Sequence, residues 1–271
     1  MLRIPSPEFP LEFSIGPENV MIPRDGRLRV LDFAADLNAG TDLAGLIDTD
    51  TVAVSGHSFG GYTALAAAGA RIDFTAFNDW CREPAATLFD ADADPAFTTE
   101  PAAISLMQTS CFLRFMGDPI ALARGFDERP DGVWPATTDP RIKAVVALAP
   151  WNVPIFGPDG LAALTVPALV QVGSQDGTTP PERDAYAAYT QIGSATKSLV
   201  AYEGADHLVF INEDIMEDGD EPVWDVPAAH DLINHLTTAF LLAELTGDAD
   251  AAALLAADQV DFAGVNYHRT E

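Results

Sequence analysis

Short apolar runs alternate with helical stretches along most of the chain, and that alternation sets the expected order of elements. Residues 27–37 (RLRVLDFAADL) place Leu28, Leu31, Ala34 and Ala35 on one side at helical spacing, with Val30 beside Leu31, and Gly40 supplies a stop. After the turn Asp48-Thr49-Asp50, the β-branched run 51–54 (TVAV) predicts a strand, and the small residues of 62–70 predict a helix suited to close packing on a sheet. Further buried strands are predicted at 143–148 (KAVVAL), 168–172 (ALVQV) and, more weakly, 198–202 (SLVAY), with a helix at 182–192. Residues 226–245 form a long amphipathic pattern with Asp225 as N-cap and Gly247 just past its end, and 249–257 add one or two helical turns.

Strands alternating with helices imply an α/β chain: a mostly parallel sheet with helices on both faces. Residues 71–141 depart from the pattern, with prolines, aromatics and the cluster Asp90, Asp92, Asp94, and are expected to form a helix-and-loop excursion over the functional side of the sheet. The proline-rich region before Gly26 has no convincing period and is expected to be irregular with at most a short strand. There is no internal repeat and no low-complexity linker, so residues 1–271 are expected to make one domain.

Composition narrows the function. Lys and Arg number 14 against 41 Asp and Glu, a net charge of −27, which repels nucleic acids and anionic membrane surfaces at long range. The longest uncharged run, 51–70, carries four glycines and a histidine and is no membrane span. The opening residues MLRIPSPEFP offer prolines in place of the apolar stretch a signal peptide needs, which leaves the compartment, cytoplasmic or secreted, open. Cys81 and Cys111, too few for a disulfide scaffold, are either one bridge closing a loop of roughly thirty residues or two buried thiols.

The chemistry is concentrated in Gly56-His57-Ser58-Phe59-Gly60. This G-x-S-x-G sits between a predicted strand and a predicted helix, the context in which the pattern marks a strained turn that exposes a nucleophilic serine. A serine hydroxyl needs a base to take its proton and an acid to orient that base, and in this architecture the two follow later strands in the order Ser, acid, His. Asp176 follows the third predicted strand in GSQDG and His207 follows the fourth in GADH. His57 lies inside the turn, His230 and His235 on the terminal helix and His268 in the tail, so a structural or surface role is expected for each; Asp206 and Asp184 are weaker candidates for the acid. The backbone N–H of Phe59 is the expected first oxyanion donor. Trp151, directly after a strand, and Trp80, Phe210 and Trp224 are candidates for an apolar substrate site.

Four segments, VAVSGHSFGGYTALA (52–66), ALAPW (147–151), VGSQDGTTPP (172–181) and EGADHLVFIN (203–212), resemble the α/β-hydrolase superfamily, most closely bacterial serine esterases of the platelet-activating-factor acetylhydrolase-like and dienelactone hydrolase-like type. The resemblance extends through NHLTTAFLLAELTGD and DFAGVNY, from about Pro7 to Tyr267. It implies a cofactor-independent ester hydrolase with Ser58, Asp176 and His207 as triad, acting on a small-molecule or polymeric ester. A more distant likeness to polyester-degrading cutinases, carried by Trp151 and the Asp and His loops, suggests an aromatic polyester as an alternative substrate.

The chain departs from that family before the serine. Members usually carry several strands ahead of the segment resembling PEFPLEF and a His-Gly loop that gives the second oxyanion donor; here 57 residues precede Ser58 and no His-Gly dipeptide occurs. The first strands of the usual fold are therefore expected to be missing and the second donor has no assignment. A substitute from residues 5–20, a second subunit, or a truncated, weakly active or non-catalytic homologue that binds an acyl or aromatic ligand are the readings left open. Missing strands would leave an open sheet edge at 51–54, which predicts a homo-oligomer that covers it. Asp90, Asp92 and Asp94 begin like a calcium loop but have Pro95 and Pro101 where glycine and glutamate belong, so they are read as a solvated acidic turn, as is 213–221, and no metal or nucleotide is called for.

Overall fold

The computed structural model of the protein describes residues 29–40, 42–82, 110–111, 113–136, 138–211 and 224–270. Four runs rich in Val, Ala and Leu form parallel strands: β1 (Val52–His57), β2 (Ile142–Leu148), β3 (Ala168–Gly173) and β4 (Lys197–Tyr202). They lie side by side in sequence order, and β5 (Val265–Arg269) adds an antiparallel strand against β4. Parallel neighbours cannot be joined by a tight turn, so each connection crosses a face of the sheet and returns.

The two-residue period of the strands divides the apolar side chains between two cores. Val145, Ala147, Val170 and Val172 belong to the core that also holds residues of α2 (Phe59–Ala68) and α3 (Phe74–Trp80). Ala144, Val146, Leu169, Val200 and Tyr202 face Ala229, Ile233, Leu236 and Phe240 of the long helix α7 (Val226–Thr246). β3, buried along its whole length, lies between them. Its polar residue, Gln171, is satisfied by Tyr202 Oη, which donates to it at 2.6 Å, and by donating to Thr237 Oγ1 at 2.8 Å.

The remaining helices are α1 (Arg29–Gly40), α4 (Gly117–Ala123), α5 (Gly157–Ala162), α6 (Ala185–Gln191), α7 (Val226–Thr246) and α8 (Ala249–Leu254). The caps of α7 fall where the sequence places them. Asp225 accepts the Ala228 N–H at 2.9 Å, and Gly247 closes the helix at φ 68°. Arg141, at the foot of β2, pairs with Asp32 of α1 at 2.9 Å and Asp139 at 2.6 Å.

Several boundaries differ from expectation. β1 runs on through Gly56 and His57 because both pair with β2, opposite Ala147 and Leu148, and α2 begins at Phe59 instead of residue 62. α6 starts at residue 185 instead of 182, since Pro180–Asp184 are taken up in turns. β5, which the apolar pattern does not predict, has an alternating half-buried and exposed strand, as suits an edge.

The excursion between β1 and β2 contains α3, a 3-10 turn at Leu113–Met116 and α4, and Cys81 and Cys111 are joined by a disulfide across it, with Cα atoms 5.7 Å apart. Among the described residues β1 lies at the sheet edge, and no helix is long and apolar enough to cross a membrane. The expectations for residues 5–20, for Asp90, Asp92 and Asp94, and for 213–221 lie outside the described residues.

Candidate active site

Ser58 occupies the turn between β1 and α2 with φ 59° and ψ −119°, a backbone region that L-residues avoid and that costs about 1–3 kcal/mol. Local bonds hold it there. Its N–H donates to Leu148 O at 2.9 Å, and its carbonyl accepts from Gly61 N (2.9 Å), Tyr62 N (3.2 Å) and Trp151 N (3.0 Å). Gly56 is required by close approach, since a Cβ there would stand 2.2 Å from Gly60 O; at Gly61 one would stand 2.8 Å from the Pro150 Cα. Phe59 opens α2, so its N–H has no acceptor within the helix and is free to face a ligand.

Asp176 follows β3 and His207 follows β4, so with Ser58 after β1 all three side chains arise at the carboxyl ends of parallel strands, the edge where ligands bind in such sheets. His207 Nδ1 lies 2.7 Å from Asp176 Oδ2, and both residues are buried. A carboxylate only accepts, so Nδ1 carries a proton, and in the neutral ring the lone pair is then on Nε2. Gly173 lets the two loops meet: a Cβ there would stand 2.4 Å from Ala205 O.

The carboxylate is itself held by groups that the sequence reading passed over. Thr178 N and Thr179 N donate to Oδ1 at 2.9 and 2.7 Å, and Thr179 Oγ1 donates to Oδ2 at 2.7 Å. The D-G-T-T order was the available signal, because an Asp side chain commonly accepts backbone N–H groups two and three residues on. The competing acids have other partners. Asp206 caps the 3-10 turn His207–Phe210 by accepting Leu208 N at 2.9 Å. Asp184 is fully buried, pairs with Arg183 and accepts Val153 N at 2.9 Å; burial pushes its carboxyl above the ordinary carboxylate range, partly offset by Arg183.

The apolar candidates divide. Phe59 and Trp151 pack together at the serine turn, ring centroids 5.5 Å apart, although Trp151 is only 3% exposed. Phe210 is half-buried beside His57, at 5.6 Å. Trp80 stacks on Phe77 and lines a cleft of about 300 Å³ with Val153, Pro158 and Arg183, which includes neither Ser58 nor His207. Trp224 donates its indole N–H to Glu203 O at 2.9 Å and meets Tyr202 edge-on, half-buried against the core on the α7 side. Among the other histidines, His230 lies on α7, His235 meets Phe262 and His268 lies on β5 against Tyr189.

A mostly parallel sheet with helices on both faces and a glycine-framed serine turn after β1 agrees with a match over residues 23–226 to the model of the alpha/beta hydrolase family. The chain belongs to the alpha/beta hydrolase family. No curated protein matches it. Membership makes the protein a hydrolase, and the glycine-framed turn at Ser58 falls within the matched residues, as do Asp176 and His207.

Proposed function

We propose that this hydrolase is a serine esterase that cleaves carboxylic esters through an acyl-enzyme on Ser58. The observation that carries the reading is the buried 2.7 Å bond between Asp176 and His207, at the same sheet edge as the strained Ser58 turn. His207 Nε2 takes the Ser58 Oγ proton as Oγ attacks the acyl carbon, and the proton then passes to the departing alkoxide. Water, deprotonated by the same nitrogen, attacks the acyl-enzyme, and the proton returns to Oγ as the carboxylic acid leaves. Asp176 fixes the tautomer and stabilises the imidazolium. The Phe59 N–H faces the oxyanion; a single such donor is worth about 10²–10³ in rate. The half-buried Phe59 beside the turn, backed by the buried Trp151, favours an acyl or aryl group in that place.

The test is reaction with a fluorophosphonate probe, which labels only an activated serine. Wild-type protein is expected to be labelled at Ser58 and to hydrolyse a short-chain nitrophenyl ester, and Ser58→Ala is expected to lower kcat by about 10⁶. Absence of labelling, or labelling that survives in Ser58→Ala, overturns the proposal.

A further inference from the structure

The nucleophile turn and the base-bearing loop are tied together by a residue that the esterase reading leaves without a role. His57, one position before Ser58, has Nε2 3.1 Å from the backbone carbonyl of His207. A carbonyl only accepts, so Nε2 carries the proton and donates. The two imidazole rings lie alongside each other, centroids 4.5 Å apart and inclined at 39°, with the Phe210 ring on His57 at 5.6 Å. Of the hydrogen bonds described between side chains of the turn 56–60 and the His207 loop, this is the one that spans them.

We propose that His57 is a positioning residue for the base: by donating to the His207 carbonyl it fixes the His207 loop relative to the Ser58 turn, so that the imidazole holds its place while it takes and returns the proton. This rests on the esterase reading. The geometry makes the coupling direct, because His57 shares the strand end that sets the Ser58 backbone, while the His207 carbonyl belongs to the residue whose ring must stay bonded to Asp176. The bond also fixes the His57 tautomer and turns an uncharged ring toward the place where positive charge develops in the transition state. Burial, together with the neighbouring His207, lowers the basicity of His57 to about pKa 4, so the ring is neutral at pH 7. The ionisable groups that act on it are His207 and Asp176. Were His57 protonated, its charge would oppose the imidazolium on His207.

The test compares His57→Phe with His57→Gln on a short-chain nitrophenyl ester. Phe keeps a ring in the space beside His207 but has no donor, and Gln restores an N–H within reach of the same carbonyl. His57→Phe is expected to lower kcat about tenfold with KM changed less than twofold, the size set by one lost hydrogen bond to a positioned group. His57→Gln is expected to recover to within about threefold of wild type. A bystander ring would give no such split or rescue. Equal loss in both variants, a loss borne by KM, or wild-type kcat in His57→Phe overturns the proposal. If His57→Phe does not fold, the comparison of His57→Gln with His57→Ala decides it by the same criteria. Fluorophosphonate labelling of wild type separates the two hypotheses, since an unlabelled Ser58 sinks the esterase reading and a labelled one leaves only the role of His57 in question.

Discussion

Replacing Asp176 by Asn tests the tautomer argument at the point where the structure leaves the substituted side chain least freedom. Asp176 is 2% exposed and its two oxygens accept four hydrogen bonds: Thr178 N and Thr179 N on Oδ1, Thr179 Oγ1 and His207 Nδ1 on Oδ2. Asn has one accepting oxygen and one donating NH₂. Turned so that the oxygen keeps the two backbone N–H groups, it presents N–H to His207 Nδ1, which must then accept. The ring proton moves to Nε2, the atom that has to take the proton from Ser58. Turned the other way, the NH₂ faces two backbone donors in a buried site, a loss of about 1–3 kcal/mol for each unmet group. The first arrangement is the cheaper, so Asp176→Asn is expected to fold, melt near wild type and lose about 10⁴ in kcat, close to 5.5 kcal/mol of transition-state stabilisation. Steady-state hydrolysis of a nitrophenyl ester measures the loss, and nitrogen chemical shifts of the His207 ring report the tautomer. Asp206→Asn is the matched control, because Asn caps a turn as well as Asp does and activity should stay within about threefold. A loss under tenfold in Asp176→Asn, or an equal loss in Asp206→Asn, refutes the assignment of the acid.

Two further perturbations act on the frame. Gly173→Ala places a methyl 2.4 Å from the carbonyl of Ala205, and backbone has to move to relieve it, so the Asp176 and His207 loops should separate; we expect a fall of more than tenfold in kcat beside a destabilisation of about 2–4 kcal/mol, read by kinetics and by denaturant unfolding. For pH, the folded pKa of His57 is depressed from 6.5 to about 4, so the unfolded chain binds the proton more readily in that window. The stability this contributes is present above pH 6.5, declines as pH falls and is lost below about 4; thermal melts from pH 7 to 4 should fall more steeply for wild type than for His57→Gln, and parallel curves would refute the shift.

The legible parts of the molecule were those where local pattern and tertiary demand agree. The buried runs of β2, β3 and β4 are short, apolar and β-branched in either context, and the caps Asp225 and Gly247 act through their own backbone. The places missed were those where partners distant in sequence decide. Gly56 and His57 carry poor strand propensity, yet pairing with Ala147 and Leu148 keeps them extended. Phe59, Gly60 and Gly61 form the first turn of a helix against their propensity because the Ser58 carbonyl collects the N–H groups of Gly61 and Tyr62. β5 has too few apolar residues to declare itself and is ordered by β4. The positions of Ser58, Asp176 and His207 followed from chain order, whereas Thr179 and the bond from His57 depend on loops that meet only in the folded state.

Among the described residues, the non-glycine residues with positive φ are Ser58, Ala149 and Asn152, and they form one group: the Trp151 N–H donates to the Ser58 carbonyl, and Ala149 N donates to Gln171 O on the neighbouring strand. Strain of about 1–3 kcal/mol at each persists only where the surroundings over-determine the backbone. Here those surroundings are the ends of β1, β2 and β3, with β3 packed between the two cores and buried throughout. Relaxing Ser58 to an ordinary φ would break the bond from its N–H to Leu148 O and three bonds to its carbonyl, at about 0.5–1.5 kcal/mol each, which together exceed the strain released. The strained Ser58 backbone and the order of the sheet end are therefore one property: a substitution that loosens the end of β2 should lower reactivity at Ser58 without touching it.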